Sequence, residues 1–500
     1  MNPRARLQGR EFFFARGALK GITMKPQARL PCWLGLALLL CVSTAFGQAV
    51  RSQTPGIWYA PGNGAANSNT FYILTPGGPS VIIDTSGKEL AASHLKWIKA
   101  IPGYVAPSYI ILTHGHGDHT AGVPEWRATG NPIIIAQSNQ QDQLDYMYRL
   151  SGFFNYRNAA DFDHVAPNIA NPYPGNYGAA PFATITFSTS YTFTLGGLTF
   201  DLLSAPGETK DMLNVWIPEL QAYFIGDNWY RSFPNMGTPR GTRARWALDY
   251  VNSLNMALSY NAGSLFPSHG NPLYGQPAVS NALSNYASAI QSVHDEVLQC
   301  LNAQFGTANA CPNSNGPPTV EWMMQNIKAP ANFTLGESYG RVAWAVRAIA
   351  EDYIGWYLLP DGATCQQCVG DAEDLFPDTL DSTLSSLNAV LGTGKNDGFI
   401  TTDMAASAVS QGQTLLSSQG SPVKAARLAD IALRNDSANT DALNLKYCAL
   451  SVLAAASNNS TEKSWLLYNV TAIQGSLGTS APNCAFVPNF KAPVVNRELN

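Results

Sequence analysis

The stretch Thr113-His114-Gly115-His116-Gly117-Asp118-His119 places three imidazoles and one carboxylate within six residues. It directly follows the apolar run Tyr109-Ile-Ile-Leu112, which predicts a buried strand. Because a strand end is rigid, side chains on the turn that leaves it can converge on one point. Imidazoles and carboxylates are suitable zinc ligands, and the two glycines let the backbone fold closely around a metal pair. The stretch therefore predicts a metal centre at the end of a strand.

Three further side chains of the same ligand types follow later strand candidates. Glu208, Asp227 and His269 each stand just after a short apolar run. Taken alone, Glu208 is equally typical of a helix first turn, Asp227 of a cap and His269 of a turn. Because one cluster cannot fill two metal shells, and the three occur in order after it, we expect them to complete the centre.

Residues 55–275 alternate short β-rich runs with helical stretches. Strands are predicted at 71–74, 81–84, 109–112, 132–136, 184–188, 198–203 and 215–225, and helices at 90–100, 120–128 and 137–150. Sheets flanked by helices in this order predict a layered α/β domain, which we assign to residues 48–278.

Beyond residue 278 the strand signals fade, and apolar residues recur at spacings typical of amphipathic helices. Helices are predicted at 281–303, 339–357, 378–390, 404–416, 422–434, 439–456 and 462–474, and loops at 305–330 and 358–377. We therefore expect an all-α domain at 279–480, followed by a C-terminal tail at 481–500.

The N-terminus has the pattern of a secretory signal peptide, assigned to residues 1–47. Basic residues precede the apolar run 30–42, and small residues follow it before Gln48. The run is short for a membrane span, and an uncleaved anchor is the alternative interpretation. Met1 and Met24 are both open as translation starts. We expect a secreted or periplasmic protein without a stable membrane span.

The amino-acid composition limits the classes of protein to which the chain can belong. Hydrophobic residues make up 45% of the 500-residue chain and charged residues only 13%, which predicts a large buried core and argues against general disorder. The formal charge is −4, and residues 1–47 hold seven of the 30 basic but only one of the 34 acidic side chains. The remainder is therefore distinctly acidic, and nucleic acid is not expected as a partner.

Six cysteines follow residue 47, and an even number in an exported protein predicts disulfides. The predicted local pairs are Cys300 with Cys311 and Cys448 with Cys484. The segment Cys365-Gln-Gln-Cys368 is open between a tight disulfide and a redox pair. No second CxxC supports a zinc knuckle, so we interpret the cysteines as structural.

The segment Thr113–His119 resembles the first motif of the metallo-β-lactamase superfamily, Thr-His-x-His-x-Asp-His. The resemblance extends through Asp227 and His269, and it implies an αββα sandwich carrying two metal ions. Most members have a histidine after the Pro-Gly pair where this chain has Glu208. A glutamate there is similar to the alkylsulfatase branch.

The resemblance implies ligands for two Zn²⁺ ions, with other divalent metals as the alternative. One ion is expected on His114, His116 and Glu208, the other on Asp118, His119 and His269, with Asp227 bridging them. The family usually has glutamate where this chain has Asp227, and the spacing after Glu208 leaves Asp211 as a rival ligand. Asp118 and Asp227 are the expected catalytic carboxylates, and a proton-shuttle role competes with the ligand role at Asp118. Such a metal pair lowers the pKa of bound water toward about 7.

The segment Asn235-Met-Gly-Thr-Pro-Arg240 is similar to the sulfate-binding segment of the alkylsulfatases. Asn235, Arg240 and Arg245 are therefore expected to bind the sulfate group, since guanidinium matches pairs of oxygens. Solvated arginines are the alternative. Residues 339–356 resemble the start of that branch's helical dimerisation domain, which implies a homodimer. Long alkylsulfatases add a lipid-transfer-like domain that would begin near Asn500, so detergent-like substrates are a weaker expectation than the reaction class.

The expected function is hydrolysis of a small-molecule ester, an alkyl sulfate. A lactonase, a β-lactamase and a phosphodiesterase are the alternatives on the same scaffold, and Glu208 argues against a plain β-lactamase. A non-catalytic exported binding protein is a hypothesis from another class. Alkyl length, native metal, and attack at sulfur or at carbon are left open by the sequence.

Overall fold

The structure is a computed structural model. It describes residues 48–64, 67–163, 182–303, 311, 319–355, 402–478 and 482–493. The predicted signal peptide, the helix at 378–390, the loop at 358–377 and Cys365-Gln-Gln-Cys368 lie outside the described residues.

The first sheet has seven strands whose spatial order follows the chain. They are β1 (Val50–Arg51), β2 (Ile57–Ala60), β3 (Thr70–Leu74), β4 (Ser80–Ile83), β5 (Pro107–Ile111), β6 (Ile133–Gln137) and β7 (Ile185–Phe187). Strands β1 to β4 pair antiparallel, whereas β4 to β7 pair parallel. Parallel neighbours end at the same edge of a sheet, so the residues after β4 and β5 meet there.

The second sheet has six strands in the order β13-β12-β11-β10-β9-β8. They are β8 (Ser190–Leu195), β9 (Leu198–Ser204), β10 (Leu213–Ile217), β11 (Ala222–Gly226), β12 (Ser264–Pro267) and β13 (Leu273–Tyr274). All neighbours pair antiparallel except β11 and β12, which are parallel. This one parallel pair brings Asp227 and His269 to a common edge, because each follows one of the two strands.

The two sheets pack face to face around an aromatic centre. The ring of Phe71 in the first sheet lies 5.2 Å from that of Phe224 and 5.7 Å from that of Phe266 in the second. Burying each such side chain stabilises the fold by about 1.5–3 kcal/mol. The helices of this part are α1 (Lys88–Lys99), α2 (Gly117–Thr120), α3 (Val123–Arg127), α4 (Gln140–Arg149), α5 (Ser151–Asn158) and α6 (Ala247–Ser259).

Helices cover the outer face of each sheet. Ile98 of α1 and Trp126 of α3 share a core with Ile82 of the first sheet. Leu254 of α6 packs in the same core as Tyr223 of the second sheet. The predicted αββα sandwich is therefore confirmed.

The remaining described helices are α7 (Gln276–Ala303), α8 (Val320–Asn326), α9 (Val342–Ile354), α10 (Thr402–Ser417), α11 (Pro422–Asn435), α12 (Thr440–Ala456) and α13 (Ser460–Ser476). Helices α7 to α9 share their core with α6 and the second sheet, whereas α11 to α13 have a core of their own. The expected division between residues 278 and 279 falls inside α7, so the domain boundaries stay a proposal. Both predicted cysteine pairs, Cys300–Cys311 and Cys448–Cys484, are present as disulfides.

The structure differs from the predicted elements in several details. The run 215–225 is not one strand but β10 and β11, because Pro218–Leu220 forms a turn and Gln221 adopts φ 48°. Helix α6 was not predicted, and neither were α5, β2 and β8. The predicted loop 305–330 contains α8, which begins after Thr319 accepts a hydrogen bond from the Trp322 amide.

Within the described residues, no helix is both long and apolar enough to cross a bilayer.

His94 gives a testable pH dependence of stability. Its ring is buried, with Nδ1 3.0 Å from the Thr70 hydroxyl and Nε2 3.2 Å from the Pro61 carbonyl oxygen. Burial lowers the pKa of His94 from 6.5 to about 4, so the unfolded chain binds the proton more readily. Neutral His94 therefore does not reduce the free energy of unfolding at neutral pH. The free energy of unfolding decreases as the pH falls below the pKa of histidine in the unfolded chain, because the unfolded chain then binds a proton that the folded protein does not.

We therefore expect His94→Gln to remove part of the acid sensitivity. The free energy of unfolding of the wild type should fall by about 2 kcal/mol more than that of the variant between about pH 7 and pH 5. Urea unfolding at each pH measures this difference. Parallel pH curves for the two proteins would show that His94 is not the group responsible.

Candidate metal centre and substrate cavity

The histidines that follow β5 converge as their spacing predicts. His114, His116 and His119 are 0%, 8% and 0% exposed. His114 Nε2 lies 2.8 Å from His116 Nδ1, and the rings of His114 and His119 are 4.1 Å apart. Burial, together with the charge of Arg245, lowers the pKa of His116 to about 3. At neutral pH this imidazole is therefore neutral and has a lone pair for a metal ion.

A second group of ligand atoms forms where the two sheets meet. One ligand atom from each of Asp118, His119, Asp227 and His269 lies within 4.8 Å of the others. Asp118 Oδ2 is 3.1 Å from His119 Nε2 and 3.0 Å from His269 Nε2. Asp227 Oδ2 is 3.3 Å and 3.4 Å from the same two nitrogens. These four residues form a candidate metal-binding cluster.

The hydrogen bonding of His119 indicates why this cluster suits a cation. Nδ1 lies 2.8 Å from Asp84 Oδ2 and donates its proton there, which leaves the lone pair on Nε2. Within the described residues Nε2 makes no hydrogen bond of good geometry, yet it faces the carboxylates of Asp118 and Asp227. A lone pair against two carboxylates is unfavourable unless a proton or a metal ion lies between them. The donor set therefore fits a divalent cation.

The pKa values of the cluster residues also reflect the strong attraction between its carboxylates and positive charge. Burial favours neutral His119, but Asp118, Asp227 and Asp84 raise its pKa well above the usual value. Burial also opposes ionisation of Asp227, yet His269 and His119 hold its pKa well below the usual range. The carboxylates are thus ionised, and either protons on His119 and His269 or a bound cation supplies the positive charge that balances them.

Asp84 holds this arrangement, and sequence reasoning missed its role. It follows β4, is fully buried and has φ 56°. Besides His119, it accepts hydrogen bonds from the amide and hydroxyl of Thr113, both at 2.8 Å, and from the Ser268 hydroxyl at 2.9 Å. The sequence did contain a signal for Asp84, since it is an acidic residue directly after a buried strand. The same pattern led to the prediction of Asp227.

Glu208 reaches the first histidines from the loop between β9 and β10. Its Oε1 lies 3.6 Å from His116 Nδ1, and its Oε2 has no hydrogen-bond partner among the described residues. Asn228 fixes the loop, since it accepts from the Glu208 amide at 3.2 Å and donates to the Ala205 carbonyl at 2.8 Å. A Cβ at Gly207 would lie 2.1 Å from Asn228 Oδ1, so only glycine fits there.

The rival ligand Asp211 lies beside the same loop. Its Oδ2 would be 3.2 Å from a Cβ at Gly115, and like Glu208 it is not part of the four-residue cluster. Burial raises the pKa of Asp211 to about 6. Because Glu208 Oε1 lies 3.6 Å from His116 Nδ1, Glu208 stays the expected ligand and Asp211 its rival.

Two of the three residues expected to bind sulfate do not line the cavity. Arg245 is 1% exposed and donates to Glu208 Oε1 and to the Asn235 carbonyl, each at 2.8 Å. Asn235 is fully buried, and its backbone amide donates to the Tyr230 hydroxyl at 2.6 Å. The burial of Glu208 requires a cationic partner, and Arg245 is that partner. Sulfate binding by Asn235 and Arg245 stays a prediction.

Arg240 does line the cavity, which has a volume of about 600 Å³. Asp118, Asp227 and His269 form part of the same wall, so the arginine and the candidate metal cluster share one space. Tyr339 and Ser460, from the helical part of the chain, also line it. The cavity is therefore built by both parts of the chain, which the sequence did not predict.

Tyr230 and Arg231 were likewise missed. Both line the cavity, and Arg231 donates to the Asn271 carbonyl at 3.2 Å, two residues after His269. The available signal was their position shortly after the Asp227 strand end. Tyr339 had no comparable signal, since it is far from the other site residues in sequence.

Comparison with known proteins shows which proteins this chain is similar to. Residues 63–269 match the metallo-beta-lactamase superfamily. The chain is 27% identical over 390 residues to a linear primary-alkylsulfatase from Pseudomonas sp. (strain ATCC 19151), a match covering 74% of this chain and 67% of that protein. A beta-lactamase-like protein 2 homolog from Caenorhabditis elegans is 24% identical over 215 residues, covering 42% of this chain and 58% of that protein.

Among solved structures, the stereoselective inverting sec-alkylsulfatase Pisa1 from Pseudomonas sp. superposes with a TM-score of 0.68 at 17% identity. The match covers 87% of this chain and 66% of that one, so the fold is shared through the helical part. The chain thus spans about two thirds of the length of these two alkylsulfatases. Together, the sandwich, the ligand cluster and these matches show that the chain carries a metallo-β-lactamase superfamily domain and is a metallo-hydrolase similar to the alkylsulfatases.

Proposed function

We propose that this metallo-hydrolase cleaves alkyl sulfate esters with two divalent metal ions, zinc in the first instance. The observation that carries the proposal is that Arg240 lines the same cavity as Asp118, Asp227 and His269. A sulfate monoester carries one negative charge, which a guanidinium binds through paired oxygens. The sulfate group would then be held beside the reacting centre.

The chain's own residues would bind the two metal ions as follows. His114, His116 and Glu208 would hold one ion, Asp118, His119 and His269 the other, and Asp227 would lie between them. Bound metal supplies a water of lowered pKa and neutralises charge on the ester oxygens. Asp118 lines the cavity, and a role as proton carrier to the departing alcohol competes there with its role as a ligand.

Relatives support the substrate class. The proteins matched over most of this chain are named a linear primary-alkylsulfatase and a sec-alkylsulfatase. A cavity of about 600 Å³ is within the range of small-molecule sites. We therefore propose an alkyl sulfate rather than a macromolecular ester as substrate.

Replacing Arg240 by alanine tests the sulfate contact. The kcat/KM for an alkyl sulfate should fall by about 10–100-fold, because a charge-assisted contact contributes about 1.5–3 kcal/mol. Hydrolysis of an uncharged ester should change much less. Arg243→Ala is the matched control, since Arg243 is half-exposed and pairs with Asp142 on the surface. Equal losses on charged and uncharged esters would contradict a sulfate contact.

A substrate panel separates the proposal from its alternatives. Wild-type protein with measured metal content should turn over alkyl sulfates in preference to lactams, lactones and phosphodiesters. Turnover of a lactam or lactone without any sulfate ester would instead identify another hydrolase of this fold. Folded protein with no metal and no turnover would favour a binding protein.

We further propose that the chain is exported and forms a homodimer. The two disulfides among the described residues are compatible with an oxidising compartment. The dimer rests on the resemblance of the helical part to a dimerisation domain. Light scattering of the purified protein measures the oligomeric state directly.

A further inference from the structure

Arg240 contacts two side chains that the sequence did not predict to lie near it. Its Nη1 lies 3.2 Å from the Tyr339 hydroxyl and 3.5 Å from Asp161 Oδ2. The guanidinium also lies over the ring of Phe162, 5.1 Å from its centroid. The side chain is only 13% exposed, so little more than its cavity-facing edge is open to a ligand.

Asp161 belongs to a π-helical turn, Ala159–Asp163, which continues α5. Its side chain is 0% exposed. The turn is anchored to the loop of Arg240, because Arg157 Nη1 donates to the Pro239 carbonyl at 2.6 Å. Asp161 therefore places a fixed negative charge against the guanidinium.

Tyr339 is fixed by contacts from two other parts of the chain. Its amide donates to the Ser232 hydroxyl at 2.9 Å, and its carbonyl accepts from Asn459 Nδ2 at 2.9 Å. A Cβ on the next residue, Gly340, would lie 2.3 Å from the carbonyl oxygens of Phe233 and Pro234. The backbone at residues 339 and 340 thus lies in close contact with the loop before Arg240, which fixes the point from which the Tyr339 side chain extends.

These two contacts have opposite electrostatic consequences. The Tyr339 hydroxyl accepts from Arg240 without neutralising it, and its own hydrogen remains able to donate to a ligand. The Asp161 carboxylate neutralises part of the same positive charge in a buried site, where charge interactions are strong. An anion at Arg240 is therefore supported by one neighbour and opposed by the other.

We propose that Tyr339 and Asp161 are positioning residues that set the anion affinity of Arg240 in opposite directions. Tyr339 holds the guanidinium toward the cavity. Asp161 lowers the affinity of Arg240 for the sulfate group, so that the sulfate can dissociate. The inference deepens the proposed sulfatase function and rests on it for the identity of the anion. It also makes the helical part of the chain a contributor to substrate binding.

Calorimetric titration of the metal-loaded protein with inorganic sulfate tests the inference without requiring turnover. Asp161→Asn keeps the size and an accepting oxygen but removes the charge, so sulfate should bind about tenfold more tightly. Tyr339→Phe removes the hydroxyl alone, and sulfate should bind about tenfold more weakly. Asp142→Asn makes the same charge change at the exposed Arg243 pair and should leave the affinity unaltered.

The KM for an alkyl sulfate should shift in the same directions as the sulfate affinity, with little change in KM for an uncharged ester. Loss of affinity in both variants would indicate a merely structural role and overturn the proposal, as would no sulfate binding by wild type and Asp161→Asn alike. Melting temperatures are measured on the same samples. If Asp161→Asn does not fold, Asp161→Ser must bind sulfate more tightly than wild type, or the proposal fails.

Failure of the proposed function is distinguishable from failure of this inference. Opposite shifts in sulfate affinity without any sulfate-ester turnover would retain the inference and reject the sulfatase. Turnover of a sulfate ester, with the same sulfate affinity in wild type and both variants, would retain the sulfatase and reject the inference.

Discussion

His116→Ala should lower hydrolysis by about a thousandfold or more while leaving the fold intact. The imidazole lies 2.8 Å from His114 Nε2 and 3.6 Å from Glu208 Oε1, so its removal leaves one proposed ion with His114, Glu208 and the shared Asp227. The ion then lacks one of its two nitrogen ligands, which weakens a zinc site. The side chain is 8% exposed and lines the cavity, so its loss should disturb packing only modestly.

Metal content and melting temperature distinguish this effect from unfolding. The variant should bind about one metal equivalent fewer than wild type and retain a cooperative thermal transition. His294→Ala is the matched control, because His294 contacts Tyr353 and Asp295 on α7 and α9, away from the candidate centre. Wild-type activity in His116→Ala, or equal losses in both variants, would contradict the proposed site.

Asp84→Asn should weaken metal binding by about 10–100-fold although Asp84 touches no proposed ion. The carboxylate accepts four hydrogen bonds and fixes His119 with its Nε2 toward Asp118 and Asp227. An amide can accept at one atom only, so donors of Thr113 or Ser268 lose their partner. Asparagine tolerates φ 56° as readily as aspartate, so backbone strain does not explain the loss.

Chelator competition measures the metal affinity, and urea unfolding of metal-free protein measures the separate structural cost. Leaving buried donors unsatisfied should lower the free energy of unfolding by about 1–3 kcal/mol. Ser268→Ala removes a single donor and should have a much smaller effect on both quantities. Unchanged metal affinity in Asp84→Asn would show that the orientation of His119 does not depend on this carboxylate.

Much of the candidate centre could be predicted because its residues follow strands. Thr113–His119, Asp227 and His269 each come directly after an apolar run, and parallel pairing places such positions at one edge of a sheet. The layered α/β domain and both disulfides were predicted correctly from local patterns, and the αββα sandwich from the family resemblance. The signal peptide and the dimer stay predictions.

The partners of buried charges could not be predicted in this way. Arg245 and Arg240 are five residues apart in one loop, and both were expected to bind sulfate. One is buried against Glu208 and the other lines the cavity. Which arginine neutralises a carboxylate depends on how the loop packs, and that is not encoded in the spacing of the two residues.

By itself, the sequence determined the layered fold, the ligand types and the strand ends that carry them, because hydrophobic periodicity and turn residues act over short distances. The tertiary structure alone decided which groups meet across the chain. It joined Asp84 to His119, Arg245 to Glu208, and Tyr339 to Arg240 across 99 residues of sequence. Such contacts arise from the packing of distant elements, where burial requires each charge and hydrogen-bonding group to find a partner.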